Sequence, residues 1–243
     1  MAMAHKYQLS DLHLNTTLND ISKRQESTLS RAIRQVRKTL EEKFPTLRFS
    51  QTPQWYLHEV IAHLKEWFPE VPFCDCMQSS TMRPDGGILS ICGADGKTYP
   101  ILISEKKNQG TNDIRAAQGK PKQAKGNAIE RLGKNVIGLR AAMLNESIFP
   151  FVCFGDGCDF ADDSSIVDRV KTISMFGKLN EVHLHNEGPN GIFNRGTYYF
   201  RVPEWTEHEM YERSLDIAIR SILYYFSKYG PHQFEHKGLF SAD

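Results

Sequence analysis

The chain has 243 residues, 40% of them hydrophobic and 24% charged, with a formal net charge of +1 and five cysteines. That length suits one α/β domain with a sizeable core. It carries no apolar run long enough to span a membrane, and Met1 to Asp20 holds no apolar segment of a secretory signal, so a soluble cytoplasmic protein is expected. Cys74, Cys76, Cys92, Cys153 and Cys158 form no Cys-x-x-Cys pair and read as reduced thiols.

In chain order, residues 1–25 are polar and expected to be loosely held. Ser27 to Lys43 reads as a helix, with Leu29, Ile33, Val36 and Leu40 on one face and Phe44-Pro45 closing it. Trp55 to Phe68 reads as a second amphipathic helix ending before Pro69, with Glu59 a candidate outer carboxylate of the site described next. Ile88 to Cys92 and Tyr99 to Ser104 read as short apolar strands, joined at Ala94-Asp95-Gly96-Lys97 by an Asp-Gly pair suited to a tight hairpin turn.

That hairpin carries the chemistry. Pro84-Asp85-Gly86-Gly87 precedes its first strand and Ser104-Glu105-Lys106-Lys107 closes its second, so an antiparallel return makes Asp85 and Glu105 neighbours. Side chains alternate along a strand, so Glu105 and Lys107 share a face and Lys106 points away. Two carboxylates and one ammonium then converge, the pattern of a Mg²⁺-dependent phosphodiesterase site. Each fragment alone is ordinary turn or strand-end chemistry; it is their pairing across a hairpin that favours function.

Residues 108–126 are rich in Gly, Gln, Asn and Lys and read as a basic, mobile arm. From Lys106 to Arg140 nine Lys or Arg face only Asp113 and Glu130, a local charge of +7 that leaves about −6 for the rest, as expected of a phosphate-binding face. A helix from Asn127 presents Leu132, Val136, Leu139 and Met143 on one side, and Phe149 to Phe154 reads as a strand buried on both faces. Val167 to Phe176 reads as a short helix, Val182 to Leu184 and Thr197 to Val202 as strands, and Glu207 to Tyr229 as a long amphipathic helix. The nine histidines show no zinc-ligand cluster. Together these elements indicate an α/β sandwich around a mixed sheet, with no linker dividing residues 1–243.

Three segments, Arg83-Pro84-Asp85-Gly86-Gly87-Ile88, Ser104-Glu105-Lys106-Lys107-Asn108-Gln109-Gly110 and Gly126-Asn127-Ala128-Ile129-Glu130-Arg131, stand in the order and approximate spacing of one family. By them the chain resembles the EcoRI-like type II restriction endonucleases of the PD-(D/E)xK nuclease superfamily, over most of its length. The resemblance implies a mixed five-stranded sheet flanked by helices, with a basic arm embracing the DNA. It implies Mg²⁺ held by Asp85, Glu105 and the main-chain carbonyl of Lys106, with Lys107 positioning the attacking water or stabilising its charge.

Base recognition would fall to Gln123, Ala124, Gly126, Asn127, Ala128, Glu130, Arg131 and Arg169, and backbone contacts to Lys120, Lys122, Lys125 and Lys134. The chemistry is compatible, since Asn can bond adenine bidentately, Arg can donate to purine acceptors and Ala can sit against a thymine methyl; Asn127 with Glu130 three residues on is also a helix-capping pair. In the family these residues read a central AATT. Here Gln123-Ala124-Lys125 replaces Met-Ala-Ala, and Ile166 stands where a second arginine beside Arg169 would be, so the outer bases stay open: GAATTC, another AATT-centred hexamer, or AATT alone. A palindromic site on double-stranded DNA implies a homodimer, and a restriction enzyme implies a cognate DNA methyltransferase. Two other readings remain: a repair or recombination nuclease on the same core that reads DNA structure, and a DNA-binding protein without catalysis.

Overall fold

The computed structural model describes residues 26–73, 75–108, 117, 119, 127–157, 160, 171, 179–186 and 194–236, with the side chains of 127–131 left out. Helix α1 (26–43) buries Leu29, Ala32, Ile33, Val36 and Leu40, one stripe at helical spacing. After it come β1 (Phe49–Thr52), β2 (Trp55–Tyr56), α2 (Leu57–Trp67), β3 (Thr81–Met82), β4 (Ile88–Cys92) and β5 (Thr98–Asn108). Then follow α3 (Asn127–Ala141), β6 (Phe151–Asp156), β7 (Thr197–Arg201) and α4 (Glu207–Tyr229), with a short 3-10 turn at Pro231–Gln233.

The five-stranded sheet runs β1-β4-β5-β6-β7. Its first two pairings are antiparallel and its last two parallel, which makes it the mixed sheet expected. Strand β6 is buried at all six positions, as a central strand covered on both faces must be. Its residues alternate: Val152 and Phe154 join the core formed with α1 and α4, whereas Phe151 and Cys153 join the core formed with Leu132, Val136, Leu139 and Met143. The sheet is thus packed between helices on both sides, an α/β layer architecture. No helix among the described residues is long and apolar enough to cross a membrane.

Several boundaries differ from expectation for identifiable reasons. Trp55 and Tyr56 do not start α2, because they pair with Met82 and Thr81 in a two-stranded ribbon. Strand β6 starts two residues late, because Pro150 has no N–H for a ladder and Phe149 instead donates to the Leu184 carbonyl (2.8 Å). Val182 to Leu184 is not a strand. Its backbone is satisfied by side chains, His183 N–H donating to Thr197 Oγ1 (3.0 Å) and Asn194 Nδ2 donating to the His183 and His185 carbonyls (3.2 and 3.1 Å), with one isolated bridge between Ile148 and His185. The loose segment 1–25, the expected helix at Val167 to Phe176 except for Lys171, and nearly all of the 108–126 arm lie outside the described residues.

Candidate active site

The hairpin β4–β5 pairs Ile88 with Ile103, and the contact continues past the strand, with Gly86 N–H donating to the Ser104 carbonyl (2.9 Å). Pro84 to Gly87 closes as a turn in which Gly87 N–H donates to the Pro84 carbonyl (3.0 Å), leaving Asp85 at its tip. The last two positions of the turn call for glycine. Gly87 has φ +74° and lies so near β1 that a Cβ would stand 2.8 Å from the Thr52 carbonyl oxygen, while a Cβ on Gly86 would run into Ser104 Oγ.

Asp85 is thereby pressed against the end of β5. Its N–H donates to Glu105 Oε2 (2.9 Å), and its own Oδ2 accepts from the Lys106 N–H (3.1 Å). In an extended strand the N–H and C=O of one residue point to the same side, so the Lys106 carbonyl also faces the Asp85 side. Lys107 Nζ reaches both carboxylates, at 2.5 Å from Glu105 Oε1 and 3.3 Å from Asp85 Oδ2. Glu105 is nearly enclosed, with its side chain 2% exposed, whereas Asp85 and Lys107 keep 22% and 19% and open the site to solvent.

Burial pushes the Glu105 carboxyl above its ordinary pKa; Lys107 opposes the shift and the neighbouring Asp85 adds to it. Burial would lower Lys107, but Glu105 and Asp85 outweigh it and hold the ammonium charged above the usual lysine range. Two carboxylates against one ammonium leave net negative charge in a half-closed site, and their mutual repulsion is what a further cation would relieve. Mg²⁺ commonly takes one or two carboxylates with water and phosphate completing the shell, so this donor set fits. Among the described residues no group of three or more His, Cys, Asp or Glu gathers around a metal position.

Lys106 turns to the other face of β5 and forms a buried ion pair with Asp156 at the end of β6. In the sequence Asp156 shows only as a lone acid just after the apolar run Phe149 to Phe154, which does not mark it as a partner of Lys106. With Lys106 and Lys107 both paired inside the protein, the basic face counted from the sequence loses two of its charges to internal carboxylates. Cys153, opposite Glu105 in the ladder, is fully buried, and burial holds its thiol well above the usual pKa.

Glu59 sits exposed in the first turn of α2. Lys134 is exposed on α3, and Asn127 is the first residue of that helix. Lys120, Lys122, Gln123, Ala124, Lys125, Gly126 and Arg169, and the side chains of Asn127, Ala128, Glu130 and Arg131, lie outside the described residues.

The family pattern described as "Restriction endonuclease EcoRI" matches residues 13–169, which include the whole hairpin. The type II restriction enzyme RsrI of Cereibacter sphaeroides is 31% identical over 217 residues, covering 75% of this chain and 78% of that protein. The type II restriction enzyme EcoRI of Escherichia coli is 29% identical over 158 residues, covering 62% of this chain and 57% of that protein. With the acid pair and lysine assembled on the matched segment, the chain belongs to the EcoRI restriction endonuclease family and is a site-specific deoxyribonuclease.

Proposed function

We propose that the enzyme makes Mg²⁺-dependent double-strand cuts in duplex DNA at a short palindrome centred on AATT, leaving 5′-phosphate ends. The observation that carries the catalytic part is the meeting of Asp85, Glu105 and Lys107 within hydrogen-bonding reach at one solvent-open point. Asp85, Glu105 and the Lys106 carbonyl would hold the metal. When bound there, Mg²⁺ supplies charge neutralisation at the phosphate and a more acidic attacking water.

The protein's own groups do the rest. Glu105 is fixed by the Asp85 N–H and needs no reorganisation to face the phosphate. Lys107, held charged by both acids, acts as a charge stabiliser for the attacking oxygen or the phosphoryl group and not as a general base. Asn127, Ala128 and Arg131, with Glu130 bracing them, would read the central bases from the start of α3, and Gln123, Ala124, Gly126 and Arg169 the bases around them. Lys120, Lys122, Lys125 and Lys134 would contact phosphates and position the duplex without specifying sequence. A palindromic site read this way calls for a two-fold dimer, each subunit cutting one strand, and for a methyltransferase protecting the same site.

Substituting Asp85→Ala or Glu105→Ala tests the site. We expect cleavage of a cognate duplex to be lost while duplex binding persists; near-native cutting by either variant would reject the assignment.

A further inference from the structure

Strand β5 carries Glu105 and Lys107 on one face, against Asp85 of the Pro84–Gly87 turn, and a second polar cluster on the other. Lys106 and Asn108 share that second face, and both end on a single carboxylate, Asp156. Lys106 Nζ pairs with Asp156 Oδ2, Asn108 Nδ2 donates to Asp156 Oδ1 (2.9 Å), and the Trp205 N–H donates to Oδ2 (3.0 Å). The Lys106 and Asp156 side chains are 3% and 2% exposed, so neither is available to DNA or solvent.

A desolvated ion pair is a poor device for stability alone, because well-packed apolar residues of similar volume often serve as well or better. What the pair adds is direction. Residue 106 is the pivot of the site: its N–H holds Asp85 Oδ2, its carbonyl faces the same side, and Glu105 and Lys107 flank it. A twist of the strand at this residue moves all of them together. The clamp on its side chain extends outward, since Trp205 Nε1 donates to the Gly155 carbonyl (2.9 Å) and the Arg201 guanidinium lies 3.7 Å over the Trp205 ring. Arg201 in turn grips Glu209 in the first turn of α4 with two hydrogen bonds (2.7 and 2.5 Å).

We propose that Asp156, gripped by Lys106 and Asn108 behind the catalytic strand, is a positioning residue that sets the strand twist on which Asp85, Glu105 and Lys107 meet. The proposal rests on the active-site reading above. It assigns to the middle residue of Glu-x-Lys a side-chain role that is separate from its main-chain carbonyl.

The test uses the full-length enzyme with Asp156→Asn, which keeps volume and most hydrogen bonds, and with the double variant Lys106→Met/Asp156→Leu, which removes both buried charges. Three quantities are read: melting temperature, single-turnover cleavage at saturating DNA and Mg²⁺, and Ca²⁺ affinity of the uncut enzyme–DNA complex by calorimetry. The double variant should melt at or above the wild-type temperature yet cut about 10–100-fold more slowly and bind Ca²⁺ more weakly, the scale of losing a group that orients metal ligands. Asp156→Asn should lose rate and Ca²⁺ affinity in the same direction. If either variant, folded, keeps wild-type cleavage and Ca²⁺ affinity, the clamp is structural and the proposal is overturned. Failure of the active-site reading is seen separately, as cutting that survives Asp85→Ala.

Discussion

Lys107 is the residue on which the charge balance of the site turns. Its ammonium lies between Asp85 and Glu105, and it is the only cation within reach of either carboxylate among the described ion pairs. On the proposed function, Lys107→Met removes a charge stabiliser and leaves two carboxylates facing each other. Loss of one preorganised donor of this kind typically costs about 10²–10³-fold in rate. We expect that loss in single-turnover cleavage, together with a lower melting temperature that added Ca²⁺ restores. A variant whose melting is insensitive to Ca²⁺ would show that no divalent ion enters between the acids. At this scale Asp85, Glu105 and Lys107 were legible, because a hairpin and strand alternation fix which ends and which faces meet. Asp156 was not: its partner Lys106 is 50 positions away, and the parallel β5–β6 register that joins them has no local signature.

Helix α4 is the element whose ends are best specified. Thr206 and Glu209 form a reciprocal capping box, and Gly230 closes the helix with its N–H on the Phe226 carbonyl. Glu209 also grips Arg201, and that bond first, together with the Thr206 contacts, holds its carboxyl at about 2 against burial that would raise it. A depressed folded-state value means the interaction stabilises fully above the ordinary 4.5 and is lost as pH falls toward 2. Glu209 is 37% exposed, so solvent screens part of the effect. Thr206→Ala should cost about 1 kcal/mol, a melting shift of about 2–4 °C. Glu209→Gln should destabilise at pH 7 and by much less near pH 2, read by thermal unfolding across that range; an equal deficit at both ends would remove the charge from the account. Helices with a clear apolar stripe were readable in sequence. Strands β1, β2 and β3 were not, because four and two residues are too short for a period-two pattern, and Val182 to Leu184 reads as a strand although side chains take the place of a ladder partner.

Over the whole molecule, a nearly neutral chain concentrates net positive charge between Lys106 and Arg140, nine Lys or Arg against two acids. The first two, Lys106 and Lys107, pair with carboxylates of the fold, so the proposed function assigns phosphate contacts to the lysines that follow. Affinity carried by such contacts should drop steeply with salt while site preference persists. The mixed sheet was legible because the order of hairpin, helix and buried strand admits few topologies, whereas its pairing order required the register. Sequence preference is the property that separates a restriction enzyme from a nuclease that reads DNA structure on the same core. Run-off sequencing of both strands after digesting plasmid DNA with the purified enzyme and Mg²⁺ measures it directly. The account predicts discrete ends, placed symmetrically about a palindrome with AATT at its centre and carrying 5′-phosphates. Ends scattered without a common sequence, or cuts confined to junctions and damaged sites, would contradict it.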